Sequence, residues 1–298
     1  MSIKPSLLRT GAAAALLLAG LSAAPFPAGA QSMDTLGQAR DTGKLKLGYL
    51  PAARPFTWRE GTADPQGYGI ALCQAVAAAA KAQLGRKDLA VEYVAVTDTD
   101  PLDAVQKGTV DLLCAPVQPT LSRRARTSFS IPVFPGGTGV LTKADNRDAL
   151  RKALEEGKAA TRPRHFAVVG ETASERWADQ RRRDLGLNSM IDSVDTLQSG
   201  VERVASGKSD ALLADRAALL DLVRNDPKAS GMIVLDWEFD PTNYALAMRR
   251  GDENFRLLVD RALSAVYRSG NIDGVYARYF GAPGPATAAA FKRLALAE

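Results

Sequence analysis

The sequence predicts an α/β protein built from two lobes. Strand-like and helix-like segments alternate along the chain, which is the pattern of α/β proteins. Two similar β-α-β-α-β blocks are predicted, near residues 44–116 and 165–215, and strand-like segments at 138–145 and 240–248 cross between them. The chain is therefore expected to leave one lobe, form the second and return, with a separate sheet in each lobe. A cleft between two lobes is where small ligands tend to bind.

The first block is predicted to contain three strands and two helices. Its strands alternate in polarity or are continuously apolar, and they lie at residues 44–50, 89–96 and 109–116. Its helices lie at residues 69–85 and 101–108, and each ends at a glycine, which is a common helix stop.

The rest of the chain continues the alternation. The predicted elements are strands at 137–143 and 165–170, a helix at 172–186, a helix and then a buried strand within 195–215, a strand at 243–250, and two closing helices within 253–281.

The N-terminal segment has the features of a secretory signal peptide. A basic start is followed by an apolar stretch at residues 11–21 and by small residues at 28–30. The apolar stretch is too short to span a bilayer stably. We expect cleavage after Ala30, so that residues 1–30 are removed and a soluble protein is exported.

The charge of the chain argues against one class of partner. Removing Lys4 and Arg9 with the signal peptide lowers the formal net charge from +5 to +3. This charge is mild, and the chain has no basic stripe interleaved with aromatic residues, so we expect no nucleic-acid partner. With 46% hydrophobic residues, the chain can bury a substantial core.

The chain contains two cysteines, Cys73 and Cys114, which allow one disulfide. An even number of cysteines in an exported chain favours a bridge, because the compartment is oxidising. Closing that loop is expected to stabilise the fold by about 4 kcal/mol. The alternative is a pair of buried thiols.

Several segments, taken in order, resemble a known family. They are LGYLPAARPF, GYGIALC, GTVDLLCAP, TLSRRARTSFSIP, VVGETASE, SDALLAD and YFG. Together they resemble the periplasmic amino-acid-binding proteins of ABC importers, solute-binding protein family 3, over essentially the whole exported part. The resemblance is nearest to the glutamate/aspartate-binding branch, whose members carry a disulfide where Cys73 and Cys114 stand. It implies the two-lobe periplasmic-binding-protein (type II) fold, with a two-strand hinge and an interlobe cleft.

The resemblance also implies boundaries and partners. Lobe 1 would comprise residues 31–138 and 244–298, and lobe 2 residues 139–243. The ligand would be an amino acid or a related small amino compound, and the partner an ABC transporter permease. We expect a monomer without cofactor or metal. The alternatives are a ligand-sensing protein that docks on a membrane receptor, and a small-acid dehydratase derived from this fold.

The segment TLSRRARTSFSIP contains a candidate ligand clamp. The family pattern Thr-x-x-Arg matches Thr120 and Arg123, and its Phe-Ser-x-Pro part matches residues 129–132, which look like an apolar stop. The resemblance implies that Arg123 binds the α-carboxylate of the ligand, a role that suits a planar guanidinium. Arg124 and Arg126 have no such counterpart and are expected to be solvated.

The resemblance implies that Asp215 binds the ammonium group of the ligand. Asp215 ends a predicted strand of the second lobe, and a carboxylate at a strand end facing a cleft suits that role. The alternative is that Asp215 caps the helix that follows it.

Further implied contacts come from both lobes. In the second lobe, Gly170 and Thr172 lie at a helix start, whose free N–H groups attract a carboxylate. Glu171 adds a negative charge there, so either it points outward or the ligand is held in another way. In the first lobe, Pro116 and Gln118 occupy positions that commonly contribute to binding.

Departures from the family pattern bear on specificity. The acidic-amino-acid branch holds the side-chain carboxylate of its ligand with arginines, and those positions are Leu50 and Pro101 here. Asp98 stands where relatives often have an aromatic or hydroxyl residue, and is either a binding residue or a helix cap. With Asp98 and Glu171, the pocket is expected to suit a neutral or cationic ligand rather than glutamate or aspartate.

The sequence predicts no catalytic set. His165 is the only histidine, and no Ser-His-Asp, Cys-His or metal-ligand cluster can be assembled. We therefore expect a binding protein rather than an enzyme, with His165 at a strand entry. Asp98 and Glu171 would supply a general acid only in the dehydratase alternative.

Overall fold

The computed structural model describes residues 34–97, 101–156, 163–170, 172–184, 186, 189–236 and 239–297. The predicted signal peptide with its cleavage site lies outside these residues, and so do Asp98 and Glu171. Across the described ranges, no helix combines the length and the apolar character needed to cross a membrane.

Strands and helices alternate along the described chain. The strands are β1 (Lys44–Tyr49), β2 (Ala52–Ala53), β3 (Thr57–Trp58), β4 (Ala90–Ala95), β5 (Leu112–Val117), β6 (Thr127–Lys143), β7 (Arg164–Val169), β8 (Ser189–Val194), β9 (Ala211–Asp215), β10 (Met232–Val234) and β11 (Phe239–Arg249). The helices are α1 (Thr35–Thr42), α2 (Tyr68–Leu84), α3 (Pro101–Gln106), α4 (Leu121–Arg124), α5 (Arg147–Glu156), α6 (Ala173–Asp184), α7 (Leu197–Ala205), α8 (Arg216–Asn225), α9 (Glu253–Arg268), α10 (Asn271–Phe280) and α11 (Pro285–Leu294).

The two predicted blocks have the same strand order. In the first block, β1 pairs in parallel with both β4 and β5. In the second block, β7 pairs in parallel with both β8 and β9. The first strand of each block therefore lies in the middle, and the helices α2 and α3, or α6 and α7, form the crossovers. This arrangement confirms the two β-α-β-α-β blocks.

Strands β6 and β11 connect the two blocks. They pair antiparallel with each other, from Thr127 opposite Arg249 to Thr138 opposite Phe239. Because β11 also pairs with β5, and β6 with β9, the strand order is β4-β1-β5-β11-β6-β9-β7-β8. The expectation of a separate sheet in each lobe is therefore wrong, since the two crossings join both halves into one path of paired strands. In the described part of the chain, β6 and β11 are the only strands that extend through both halves.

The expectation that the segment stops at residues 129–132 is also wrong, because these residues lie inside β6. The pairing of β6 with β11 changes register between the Tyr244–Phe134 pair and the Ala245–Pro132 pair. A proline has no N–H for the ladder and is tolerated at such an irregularity. The strand can therefore continue through Pro132 to its end at residue 143.

Helix α2 approaches β5 closely at Gly69. A Cβ atom on Gly69 would lie 1.9 Å from the carbonyl oxygen of Cys114, so the approach requires glycine. One helical turn further on, Cys73 forms the predicted disulfide with Cys114, with a Cα–Cα distance of 5.9 Å. Both cysteines are fully buried. The helix ends where predicted, at Gly85, which has a left-handed φ of 64°.

The apolar core is divided in the same way as the strands. A large cluster around Phe134 and Tyr276 packs α2, α9 and α10 on the first half. In the second half, the neighbouring residues Leu212 and Leu213 of β9 belong to different clusters. Successive side chains of a strand point to opposite faces, so the second half of the sheet is covered on both faces.

Candidate ligand-binding site

A cavity of about 430 Å³ lies where the crossing strands meet the carboxyl ends of the second block. A cavity of this size can hold a small organic ligand. Small and apolar residues form much of its wall, and Asp215 is the one charged residue among the described residues that line it. The polar lining residues are Gln118, Thr138, Thr172, Ser174, Asp215, Thr242 and Tyr244.

Asp215 ends β9, and its two carboxylate oxygens have different partners. Oδ1 accepts hydrogen bonds from the backbone N–H groups of Ala217 at 3.0 Å and Ala218 at 3.2 Å, and thereby caps α8. Oδ2 accepts a hydrogen bond from the Tyr244 hydroxyl at 2.6 Å. Asp215 therefore has the helix-capping role that was the alternative, and it also lines the cavity.

Tyr244 reaches the cavity from β11 and is held among aromatic rings. Its ring centroid lies 6.2 Å from that of Phe134, nearly parallel to it, and 5.9 Å from that of Phe56, edge-on. Burial and the nearby Asp215 carboxylate raise the pKa of Tyr244 well above its usual range, and the charge of Arg123 opposes this shift. The phenol therefore stays protonated and serves as the donor to Asp215.

The turn before α6 brings Thr172, but not Gly170, to the cavity. Thr172 donates its hydroxyl to the Val169 carbonyl at 2.7 Å and accepts the N–H of Glu175 at 3.2 Å. Gly170 lies next to Ser193, whose Oγ would be 2.7 Å from a Cβ atom at this position. The glycine is thus explained by close packing of the turn against the neighbouring strand.

Two hydrogen bonds between side chains connect the crossing strands to other parts of the chain. Thr138 of β6 is buried and donates to the Ser174 hydroxyl at 3.3 Å. Gln118, just after β5, donates through Nε2 to the hydroxyl of Thr242 in β11 at 2.9 Å. Pro116 is buried within β5 and is not among the lining residues. Of the two predicted first-lobe contacts, Gln118 is therefore the one that reaches the cavity.

The three arginines of the candidate clamp have different surroundings. Arg123 is half-buried in α4, and its Nη1 donates to the Gln118 carbonyl at 2.9 Å. Arg124 and Arg126 are exposed, as expected, and Nη1 of Arg126 lies 4.0 Å from the carboxylate of Asp103. Arg123 is thus adjacent to a lining residue, although it does not itself line the cavity.

The remaining candidates lie elsewhere. Asp98 and Glu171 are outside the described residues. Leu50 packs against an apolar cluster of the first half, and Pro101 begins α3. His165 lies in β7, where its Nδ1 is 3.3 Å from a carboxylate of β8.

The sequence prediction missed Thr138, Ser174, Thr242 and Tyr244. These residues are polar positions in crossing strands or at a helix start, and nothing in their local pattern distinguishes them from solvated positions. The pairing of Thr138 with Asp215 in the β6–β9 register brings the crossing strand to the cavity. One argument from the sequence could have found the crossing-strand residues. A strand that crosses between the lobes must pass the end of the strand that carries Asp215.

The fold and the site define a two-lobe solute-binding protein of the type II periplasmic-binding-protein fold. The chain belongs to the bacterial extracellular solute-binding proteins, family 3, whose family model matches residues 45–282. The predicted family is therefore confirmed.

Two relatives over most of the chain are named as binding proteins. The L-glutamate/L-aspartate-binding protein of Pseudomonas aeruginosa is 30% identical over 96% of this chain and 90% of its own length. The glutamate/aspartate import solute-binding protein of Escherichia coli is 25% identical, over 93% of this chain and 89% of its own.

Solved structures agree in fold. An ancestral cationic amino acid solute-binding protein has a TM-score of 0.65 and 25% identity, covering 83% of this chain and 100% of that one. The unliganded, open L-cystine solute receptor of Neisseria gonorrhoeae has a TM-score of 0.68 and 17% identity, covering 84% and 98%. An ancestral cyclohexadienyl dehydratase has a TM-score of 0.60 and 21% identity, covering 83% and 96%. At such identities, the last two show the fold alone.

Proposed function

We propose that the protein captures an amino acid, or a related small amino compound, and delivers it to an ABC importer. The observation that carries this proposal is the fixed carboxylate of Asp215 on the wall of the cavity. A carboxylate held on both oxygens in a largely apolar wall is suited to bind an ammonium group. Membership of the family and the names of the relatives support the same substrate class.

Arg123 is proposed to bind the α-carboxylate of the ligand. One guanidinium nitrogen donates to the Gln118 carbonyl. A guanidinium carries five N–H donors, so others remain for a carboxylate. Thr172 and the start of α6 are proposed to assist, because the free N–H groups of a helix start attract an anion.

The ligand is proposed to be neutral or cationic rather than glutamate or aspartate. Leu50 and Pro101 offer no positive charge to a side-chain carboxylate, and burying that carboxylate unpaired would cost several kcal/mol. This separates the chain from the relatives that are named for glutamate and aspartate.

The location and the partner follow from the same proposal. The signal peptide would be cleaved after Ala30, and the exported monomer would dock on an ABC transporter permease in the periplasm.

We propose residues 31–138 and 244–298 as lobe 1, and residues 139–243 as lobe 2. The paired strands β6 and β11 would then form the hinge. Binding rather than catalysis is proposed, in line with the binding-protein names of the relatives.

A thermal-shift screen followed by calorimetry tests this function. The exported chain is heated with each standard L-amino acid, with cystine and with small amines, and stabilising compounds are titrated. We expect at least one neutral or cationic amino acid to stabilise the protein and to bind at micromolar concentration or below. Stabilisation by glutamate and aspartate alone would refute the proposed ligand class. No stabilisation by any amino acid would refute amino-acid capture itself.

A further inference from the structure

Tyr244 and Asp215 form a hydrogen-bonded pair on the wall of the cavity. Oδ1 of Asp215 already accepts two backbone N–H groups, and Oδ2 accepts the Tyr244 hydroxyl. A carboxylate has about four lone-pair sites, so roughly one acceptor site remains on Oδ2. A primary ammonium has three N–H donors. Asp215 alone therefore leaves most of the hydrogen-bonding capacity of such a group unsatisfied.

The phenol oxygen of Tyr244 supplies a second acceptor at the same place. A hydroxyl that donates its proton still has lone pairs with which to accept another hydrogen bond. The raised pKa of Tyr244 keeps its proton on the phenol, so the oxygen donates to Asp215 and remains able to accept. Tyr244 Oη and Asp215 Oδ2 are 2.6 Å apart, which lets one nitrogen contact both.

Packing fixes the position of both groups before any ligand arrives. A Cβ atom on Gly136 would lie 2.6 Å from Cε2 of Tyr244, so a glycine there leaves room for the ring. The ring also stacks on Phe134. The cap of α8 holds the Asp215 carboxylate. Groups held in this way lose little further freedom on binding, which favours a specific geometry.

We propose that Tyr244 determines specificity for the amino group: its Oη and Oδ2 of Asp215 each accept one N–H from the same primary ammonium. This inference rests on the proposed function and deepens it. An N,N-dimethyl ammonium keeps the positive charge but has one N–H, so it can satisfy one of the two acceptors. The site therefore binds a primary amine more tightly than its N,N-dimethyl derivative, and the second hydrogen bond adds to the effects of charge attraction and steric fit.

The test compares two ligands on two proteins by calorimetry. The ligands are the amino acid that binds most tightly in the screen and its N,N-dimethyl derivative. The proteins are the wild-type chain and Tyr244→Phe, which keeps the ring packing and removes the hydroxyl. Losing a hydrogen bond to a charged group should weaken primary-amine binding by roughly 10- to 100-fold. Binding of the dimethyl derivative should change by about 2-fold or less, because it can still use Asp215.

Tyr93→Phe is the matched control for removal of a phenol hydroxyl. The Tyr93 hydroxyl accepts a surface hydrogen bond from Gln74 at 3.0 Å and lies outside the cavity lining. This variant should keep both affinities and their ratio. The ratio is the decisive quantity, because two affinities measured on one sample are affected equally if part of a variant is unfolded.

Each outcome separates this inference from the proposed function. Unchanged or tighter primary-amine binding by Tyr244→Phe, with the ratio unaltered, overturns the role of Tyr244 and leaves amino-acid capture intact. If no amino acid binds but ethanolamine does, the amino-acid part of the proposed function fails, and ethanolamine with its N,N-dimethyl derivative then decides on Tyr244 by the same ratio. If neither amino acids nor ethanolamine bind, both proposals are overturned.

Discussion

Removing the Cys73–Cys114 disulfide should lower the stability of the fold by about 4 kcal/mol. The bridge spans a sequence separation of 41 residues. For a loop of that length, the chain-entropy relation gives about 13 cal/mol/K, which is about 4 kcal/mol at room temperature. The loss arises because the reduced unfolded chain gains freedom that the bridge had removed.

Urea unfolding can measure this loss. The oxidised protein, the reduced protein and the double variant Cys73→Ala/Cys114→Ala are compared by circular dichroism. With a slope of about 3 kcal/mol per molar urea, the midpoint of the reduced protein should fall by roughly 1.3 M. The double variant should fall somewhat further, because the buried sulfur atoms also contribute packing. Ligand affinity should change little, since neither cysteine lines the cavity.

Equal midpoints for the oxidised and reduced proteins would refute the loop-entropy reasoning. A large loss of affinity on reduction, with stability unchanged, would show instead that the bridge acts on the site through α2 and β5.

Three further predictions concern single residues. Arg123→Ala should weaken ligand binding by about 2–5 kcal/mol, whereas Arg124→Ala, at an exposed position, should cost about 0–1 kcal/mol; equal losses in calorimetry would contradict a specific clamp. Gly69→Ala should lower the free energy of unfolding by about 3 kcal/mol, because the added Cβ atom clashes with β5. The control Gly85→Ala has open space around it and should lower the free energy of unfolding by about 1–2 kcal/mol from backbone strain alone. Thermal unfolding that ranks the two variants in the opposite order would refute this. Asp236→Asn should lower the free energy of unfolding by about 2–3 kcal/mol, a value between those of exposed and buried ion pairs, because its partner Arg216 is 4% exposed while Asp236 is 34% exposed. An unchanged urea midpoint would show that this ion pair contributes nothing to stability.

The parts of the fold that the sequence predicted are those with a local signal. Alternating and apolar segments marked the strands of both blocks, and Gly85 marked the end of α2, because the left-handed turn there suits glycine. The bridge followed from counting cysteines in an exported chain and from the family resemblance. Helices α1 and α5 and the strand β8 were not identified, since short and partly polar segments resemble loops, and the alanine-rich helix α11 was not identified either.

The errors arose where distant pairing overrides local pattern. Pro132 looked like a stop, but a change of register opposite Ala245 accommodates its missing N–H. Tyr244 looked like an ordinary residue of an alternating strand, and only the fold brings its hydroxyl to Asp215. The two interpretations of Asp215 did not exclude each other, because one oxygen caps α8 and the other takes part in the cavity wall.

The pairing of Thr138 with Phe239 also bears on how such a chain can be rearranged. Cα partners in antiparallel strands are about 5 Å apart, and a two-residue turn can join such strands. The chain thus enters and leaves the second block at neighbouring points, as an inserted cassette would. A single exchange between relatives could replace that cassette and keep the order β4-β1-β5-β11-β6. The ammonium contact proposed for Asp215 would be exchanged with the cassette, while the carboxylate contact proposed for Arg123 stayed behind. Recognition of these two groups could therefore diverge independently.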